Sequence, residues 1–366
     1  MRLFSNNYDP VCAADQVLCS MVKVNARQVR GIHDAHMAIL DGKAYIVYEA
    51  NDRQPGENHR WEYIYCALSV VDIPTGRLER IFPFARSEQA YSNHTLPRGS
   101  CFVPRILVKD PATLRVFFAS IPTNYSQQTL WYLDYHTDTQ QFENEIFPLY
   151  MEADGERTLM QPRHFYRQAC RHGFHGREDP AGLYLFEMGK KTDGRYYVAV
   201  NNFLTRQNAL GVFNEQLDTV QILGNILEPQ DAGMSESGIT RLPDGSWLAI
   251  LRSDLGDLNY YFAKSPDGMH WEAAQKSAIT PKGSNSKPLL EKIGGLYFLG
   301  WQQQPDRTVF HIDLSDNGLD WERAFTFRIP MGSFQYPALY SWNGAVYICA
   351  TQGDKSSIWF GKLMDL

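Results

Sequence analysis

The side chains of this chain that could do chemistry are few and far apart. They are His33, Asp34 and His36; Arg105; Gln161 and Arg163; Glu236; Lys287; and Tyr336. Positive charge dominates the set, one carboxylate is available to one tyrosine, and two histidines stand close together near the N-terminus. The whole chain has a formal net charge of -6, which argues against a general polyanion-binding surface and so against nucleic acid as a partner. Cations gathered in one cavity of such a chain predict an anionic ligand, for example a carboxylated sugar. His33 and His36 are three apart, so on a regular strand they point to opposite faces and do not share a metal. No metal site, cofactor motif or glycine-rich phosphate loop of diagnostic spacing is present.

These residues span about 300 positions, and repeated elements must bring them together. Tyr260-Tyr-Phe-Ala-Lys-Ser-Pro-Asp-Gly-Met-His-Trp271 recurs as Val309-Phe-His-Ile-Asp-Leu-Ser-Asp-Asn-Gly-Leu-Asp-Trp321. In each, an alternating strand enters a tight turn of a short polar residue followed by Gly, both tolerant of left-handed backbone. A Trp then packs back against the core. Strand–turn–strand units begin at Ser237, Lys287 and Tyr336, with turn glycines Gly245, Gly295 and Gly344 about 50 residues apart. Fainter copies begin at His33, Cys101 and Met160, the last two sharing a Pro-Arg pair (Pro104-Arg105 and Pro162-Arg163).

Six modules of two hairpins each predict an all-β fold, a six-bladed β-propeller of four-stranded antiparallel blades. Intervals of 60–75 residues leave a seven-bladed ring as the alternative. The last module, about 333–366, stops one strand short, and residues 17–24 can supply that strand and close a single domain of residues 1–366. Helical periodicity is absent over any useful length. In a propeller the first strand of each module lines the central channel, which is where the residues named above begin their modules. Each also has a structural alternative: Tyr336 as a core aromatic, Arg105 and Arg163 as braces between blades, Lys287 as channel lining. His172–Pro180 reads as a polar loop between strands.

Composition fits this reading. Hydrophobic residues at 44% against 21% charged exclude global disorder, and 13% aromatics with 27 Gly and 19 Pro favour turn-rich β structure. No apolar run approaches the ~18 residues of a membrane span. The N-terminus lacks a basic region followed by an apolar stretch, so a cytoplasmic protein is expected. Six widely spaced cysteines without CxxC spacing are expected to be reduced thiols, mostly in the core.

The turns at Ser265–Trp271 and Ser315–Trp321 resemble the Asp-boxes (BNR repeats) of the sialidase superfamily, each one residue shorter than the Ser-x-Asp-x-Gly-x-x-Trp form. The segment from Glu236 to Arg252 resembles the sialidase hairpin that a Glu begins and an Arg ends. Arg307 resembles that family's next substrate arginine, Tyr336-Pro-Ala-Leu its nucleophile strand, and Gly42–Glu49 the end of its first hairpin. The resemblance implies an exo-acting, retaining glycoside hydrolase. Tyr336 would attack the anomeric carbon and Glu236 would take its proton, because a neutral phenol is a poor nucleophile. Arg252 and Arg307 would hold a substrate carboxylate. A separate acid/base residue from the first blade would serve the leaving group; Asp34, Asp52 and Glu57 are the candidates. His33 occupies the place of the family's first arginine, with Arg30 three residues upstream, and so a sugar acid other than sialic acid fits better. His33 and Asp34 would contact the substrate or its leaving group.

His33-Asp34-Ala35-His36 also resembles the first-blade histidines of propeller polysaccharide lyases acting on uronic acids, including rhamnose–glucuronate linkages. That resemblance implies proton transfer by His33, His36 and Tyr336, with Arg105 and Arg163 neutralising the uronate. The remaining alternative is a glycan-binding propeller without turnover. All three readings have a carbohydrate partner, and none requires a membrane.

Overall fold

Alternation in the repeated units becomes six antiparallel sheets in the computed structural model, which describes residues 3–190, 193–227, 232–329 and 332–366. Blade 1 comprises residues 31–85, blade 2 99–148, blade 3 150–226, blade 4 234–276, blade 5 289–328 and blade 6 334–365. Each inner strand packs against the next, and that of blade 6 returns to blade 1, which closes a ring of six. Inner strands are buried almost throughout because both faces are covered by neighbouring blades; Gly31–Leu40 is buried over nine of its ten residues. Outer strands such as Arg77–Ala85 keep exposed positions. Between blades the core is continuous, as where Val47, Leu68, Val116, Phe118 and Leu133 meet from blades 1 and 2.

The intervals that allowed a seventh blade hold other structure. Blade 3 carries an extra hairpin, Tyr150–Ala153 with Glu156–Leu159, on the outer edge of its sheet. A helix, α2 (Pro162–Arg171), follows it. The Gln-Pro-Arg sequence at 161–163 therefore starts a helix and not the inner strand of blade 3. Proline suits the first helical turn, where its missing N–H has no partner to lose. The true inner strand is Leu183–Lys190.

A second helix, α1 (Pro10–Ser20), corrects the expected closing strand. Asp9 caps it by accepting hydrogen bonds from the Val11 and Cys12 N–H groups. Residues 17–20 are thus helical, and only Val22–Lys23 adds to blade 6, antiparallel to Ser357–Asp365. Neither helix is long and apolar enough to cross a membrane among the described residues. The cysteines are unpaired, with Cys66, Cys101 and Cys349 buried but Cys12, Cys19 and Cys170 exposed, fewer in the core than expected.

The two repeated polar turns lie between the third and fourth strands of blades 4 and 5, on the outside of the ring. Ser265 Oγ accepts from Gly268 N–H at 2.8 Å, and Asp267 accepts from the Met269 and His270 N–H groups. Ser315 and Asn317 repeat this on Gly318, Leu319 and Asp320. One side-chain acceptor answers two backbone donors, which locks the turn without needing a ligand.

Candidate active site

Five of the six inner strands carry a bulge at one level. The register shifts fall between His33 and His36, Phe102 and Arg105, Leu185 and Met188, Met234 and Ser237, and Gln335 and Ala338. A bulge re-aims the side chains it contains. Asp34, Val103 and Tyr336 occupy its left-handed position, with φ of 51°, 47° and 51°. Such backbone at a non-glycine residue costs about 1–3 kcal/mol and is kept where packing enforces it. Here the bulges turn Asp34, Val103, Glu236 and Tyr336 toward the axis, into a cavity of about 290 Å³.

The cavity is divided by blade. Blades 4, 5 and 6 contribute Glu236, Arg252, Arg307, Tyr336 and Lys355; blade 1 contributes His33, Asp34, Glu49 and the loop residues Glu57, Asn58 and His59. Phe102, Val103, Tyr184, Phe186 and Phe203 from blades 2 and 3 form an apolar wall. A larger groove of about 560 Å³ between blades 2 and 3 contains none of these groups. Its Lys109 is already paired with Asp134 at 2.5 Å.

The Tyr336 hydroxyl lies 2.6 Å from both carboxylate oxygens of Glu236, to which it donates. Arg252 Nη1 donates to the same hydroxyl at 2.8 Å and to Glu236 Oε2 at 2.8 Å. Asp254 orients that guanidinium through Nε at 2.7 Å and is itself paired with Arg206. Arg307 is aimed by Gln335 Oε1 and the Asn285 carbonyl, both at 2.6 Å. Burial and the Glu236 charge push the Tyr336 phenol well above its ordinary pKa, against Arg252 and Arg307. The phenol is therefore neutral at pH 7, with a carboxylate in contact with its hydroxyl.

His33 packs its ring on Tyr336, centroids 4.2 Å apart, and its Nδ1 meets Thr351 Oγ1 at 3.1 Å. Burial first, then Lys355, Arg307 and Lys287, lower its pKa well below 6.5, so it is neutral, with Asp34 opposing. It therefore supplies no fixed positive charge to the cavity.

Beneath the cavity a buried ion network plugs the channel. Arg105 Nη2 donates to both oxygens of Asp34 at 3.1 and 3.0 Å, and its other nitrogens reach the Phe186 and Pro104 carbonyls. Lys287 Nζ lies 2.9 Å from Glu187 and 4.0 Å from Asp34. Arg105 and Lys287 are fully buried and do not line the cavity, unlike their expected place as ligand-binding residues.

His36 opens instead onto a separate cavity on the far side of this plug, with Ile106, Tyr196 and Tyr340. The bulge, not simple alternation, separates it from His33. Arg163 is exposed near the start of α2, and Gln161 bonds Thr129 there, both away from the axis. Asp52 is exposed and accepts from the Tyr65 hydroxyl; Arg30 is exposed as well. Of the three acid/base candidates only Asp34 and Glu57 border the cavity, and Asp34 is held by Arg105. The lyase set of His33, His36, Tyr336, Arg105 and Arg163 is thus not brought together. His172–Pro180 links α2 to the inner strand of blade 3, with Asp179 and Pro180 at a small groove beside His59.

Sequence reasoning missed Glu49, Lys355, Glu187 and the aromatic wall. Glu187 had a signal, since Leu183-Tyr-Leu-Phe-Glu-Met188 is an apolar run after Gly182. Glu49 and Lys355 carry no such signal, since one lies on a second strand and the other in the turn between the second and third strands of blade 6.

No family model and no curated protein matches the chain. Solved structures do. A protein of unknown function from Dyadobacter fermentans is 13% identical over 95% of this chain and 98% of its own, with a TM-score of 0.67. A Hadza microbial sialidase is 14% identical over 92% of this chain, with a TM-score of 0.66, and the match spans 66% of its length. Trypanosoma rangeli sialidase, in complex with the inhibitor DANA, is 12% identical over 94% of this chain and 57% of its own, with a TM-score of 0.63. The chain therefore has the six-bladed propeller fold found in sialidases.

Proposed function

We propose that the protein is a retaining glycoside hydrolase that removes a terminal carboxylate-bearing sugar. Tyr336 would be the nucleophile, Glu236 its base, Arg252 and Arg307 the carboxylate holders, and Glu57 the acid/base at the leaving group. The observation that carries this reading is the Tyr336 hydroxyl held between the Glu236 carboxylate and Arg252 Nη1, at 2.6 and 2.8 Å. As Tyr336 attacks, its proton passes to Glu236 and Arg252 stabilises the phenolate that develops. A phenol also avoids the repulsion a carboxylate nucleophile would meet from an anionic sugar.

The same guanidinium touches the nucleophile, so a carboxylate bound there lies beside the reacting carbon. That favours a ulosonic acid, whose carboxylate is on the anomeric carbon, over a uronic acid, whose carboxylate is across the ring. The plug of Asp34, Arg105, Lys287 and Glu187 closes the cavity below, which suits an end sugar and not a chain passing through. The sialidase structures include T. rangeli complexes with sialic acid and with 2,3-difluoro-KDN, both ulosonic acids. His33 in place of a guanidinium favours a different member of that class.

The test is hydrolysis of a panel of aryl ulosonides and uronides, with product stereochemistry followed by NMR. Glu236→Gln is expected to lose on the order of 10²–10⁴ in kcat, the range of a lost general base. Tyr336→Phe should lose at least as much. A fluorinated ulosonyl fluoride should leave a covalent mass on the peptide bearing Tyr336. Wild-type rates in Tyr336→Phe, release of an ultraviolet-absorbing unsaturated uronate, or binding without turnover would each overturn the reading.

A further inference from the structure

We propose that Glu49 and Glu57 share one proton and act as a single acid/base, with Glu57 meeting the glycosidic oxygen and Glu49 keeping the pair loaded. The proposal rests on the hydrolase reading above and adds a positioning residue to it.

Glu49 lies on the second strand of blade 1 (Lys43–Asn51), opposite His33, and Glu57 on the loop that follows. Both border the cavity. Glu49 Oε2 accepts from the Val103 N–H at 2.8 Å, a donor freed by the left-handed bulge of blade 2. Glu57 Oε1 accepts from Lys355 Nζ at 2.5 Å, and His33 Nε2 stands 3.8 Å from the same oxygen. The remaining oxygens, Glu49 Oε1 and Glu57 Oε2, are buried with no donor from another group. Both carboxyls border one cavity beside His33, and Glu57 acts directly on Glu49; two ionised carboxylates would have no donor to offer each other. One proton between them supplies the missing donor.

The surroundings favour that state. Burial, then the charge of Glu57 and the bond to it, and then Asp34, raise Glu49 well above the usual carboxylate range; the Val103 N–H opposes them. The other groups facing the pair are His33, His59, Tyr184, Cys66 and Lys355. Burial lowers both imidazoles and raises the phenol and the thiol, so those four are neutral at pH 7. Arg105 and Lys287 are engaged by Asp34 and Glu187. Lys355 is thus the cation that balances the one negative charge of a half-protonated pair.

In the first half-reaction the Tyr336 oxygen bonds the anomeric carbon and its proton passes to Glu236. The glycosidic C–O bond breaks, and the pair's proton goes to the departing oxygen. Two carboxylates then face Lys355. In the second half-reaction water attacks the anomeric carbon and gives a proton to Glu57, which restores the shared proton. The bond to Tyr336 breaks, and Glu236 returns the phenol proton.

The test compares Glu49→Gln with wild type on two leaving groups, an alkyl alcohol that needs protonation and 4-nitrophenol that does not. The high-pH limb of kcat/KM for the alkyl substrate should move acidward by about one unit or more. The alkyl-to-nitrophenyl rate ratio at pH 7 should fall about tenfold or more, a fraction of what general acids contribute. Glu49→Asp should restore part of that ratio. An unmoved limb, or equal losses on both substrates, overturns the proposal.

A second arm needs no turnover. Infrared spectra of the ligand-free protein with carboxyl-labelled glutamate should show a protonated carboxyl at pH 7. That band should vanish in Glu49→Gln, and its midpoint should drop in Glu57→Gln, where the neighbouring charge is gone. Absence of the band in wild type overturns the pair. Presence of the band in a protein that cleaves no acidic glycoside overturns the hydrolase reading and leaves the pair standing.

Discussion

Arg105 and Arg252 are both guanidiniums near the axis, and their partners separate their roles. Arg252 touches the Tyr336 hydroxyl in the cavity, whereas each nitrogen of Arg105 is engaged by Asp34 or a backbone carbonyl beneath it. Arg105→Met would leave the buried Asp34 charge with only Lys287 at 4.0 Å, which Glu187 also holds, and is expected to cost about 3–5 kcal/mol. Urea unfolding measures it, and adding Asp34→Asn should return a good part of the loss. An unchanged midpoint in Arg105→Met would show that the ion pair does not brace the blades. Which arginines would meet at the cavity was half legible: Arg252 and Arg307 could be placed by their hairpins, with Glu236, Tyr336 and His33. Whether a buried arginine faces ligand or carbonyls depends on a neighbouring blade, here Phe186 some eighty residues away. Glu49 was harder still, because its partner Glu57 lies around a loop and its donor Val103 on the next blade.

At the scale of elements, what repeats locally was legible and what interrupts the repeat was not. The turns at 265–271 and 315–321 depend on side chains within a few residues, so spacing alone specifies them. Gly268 has φ of 82°, and an added Cβ would meet Leu210 Cδ2 at 2.8 Å and Trp247 Nε1 at 3.1 Å. Gly268→Ala should therefore add a packing cost to the about 1–3 kcal/mol of the left-handed backbone. Gly344→Ala, at φ 73° with nothing within 4 Å, should carry the backbone cost alone and lose less. Thermal unfolding of the two variants decides this, and equal losses would remove the packing part of the argument. The helices escaped notice for opposite reasons. α1 is short and buries only Ala14 and Val17, while α2 begins with the Pro-Arg pair that elsewhere enters a strand. The bulges leave no common mark: Val103-Pro104 and Tyr336-Pro337 share a following proline, but Asp34-Ala35 has the same backbone shape without one.

At the scale of the molecule, the ring was legible because six turns of similar period leave few other architectures. The count of six depended on what filled the long intervals, and only the structure identifies that filling as α2 and a hairpin. The closing strand also has a mechanical side. Val22 lies opposite Phe360 and Lys23 opposite Trp359, so the chain's two ends leave this ladder from the same side. Tension applied between the termini would peel it one bond at a time, like a zipper, and would not shear all its bonds together. The clasp ahead of it, Leu3 and Phe4 N–H groups on Glu322 and α1 against blades 5 and 6, would be loaded at the same moment. Single-molecule stretching should thus show a weak early event that releases about thirty residues. At roughly 3.5 Å each, that is a gain in contour length of about 100 Å before the blades yield. One high-force rupture with no such precursor would mean that the seam is as strong as the sheets it joins. In a tethered or fused protein the ring would open at this seam, and the cavity bordered by Tyr336 and Lys355 of blade 6 would be the first to lose its shape.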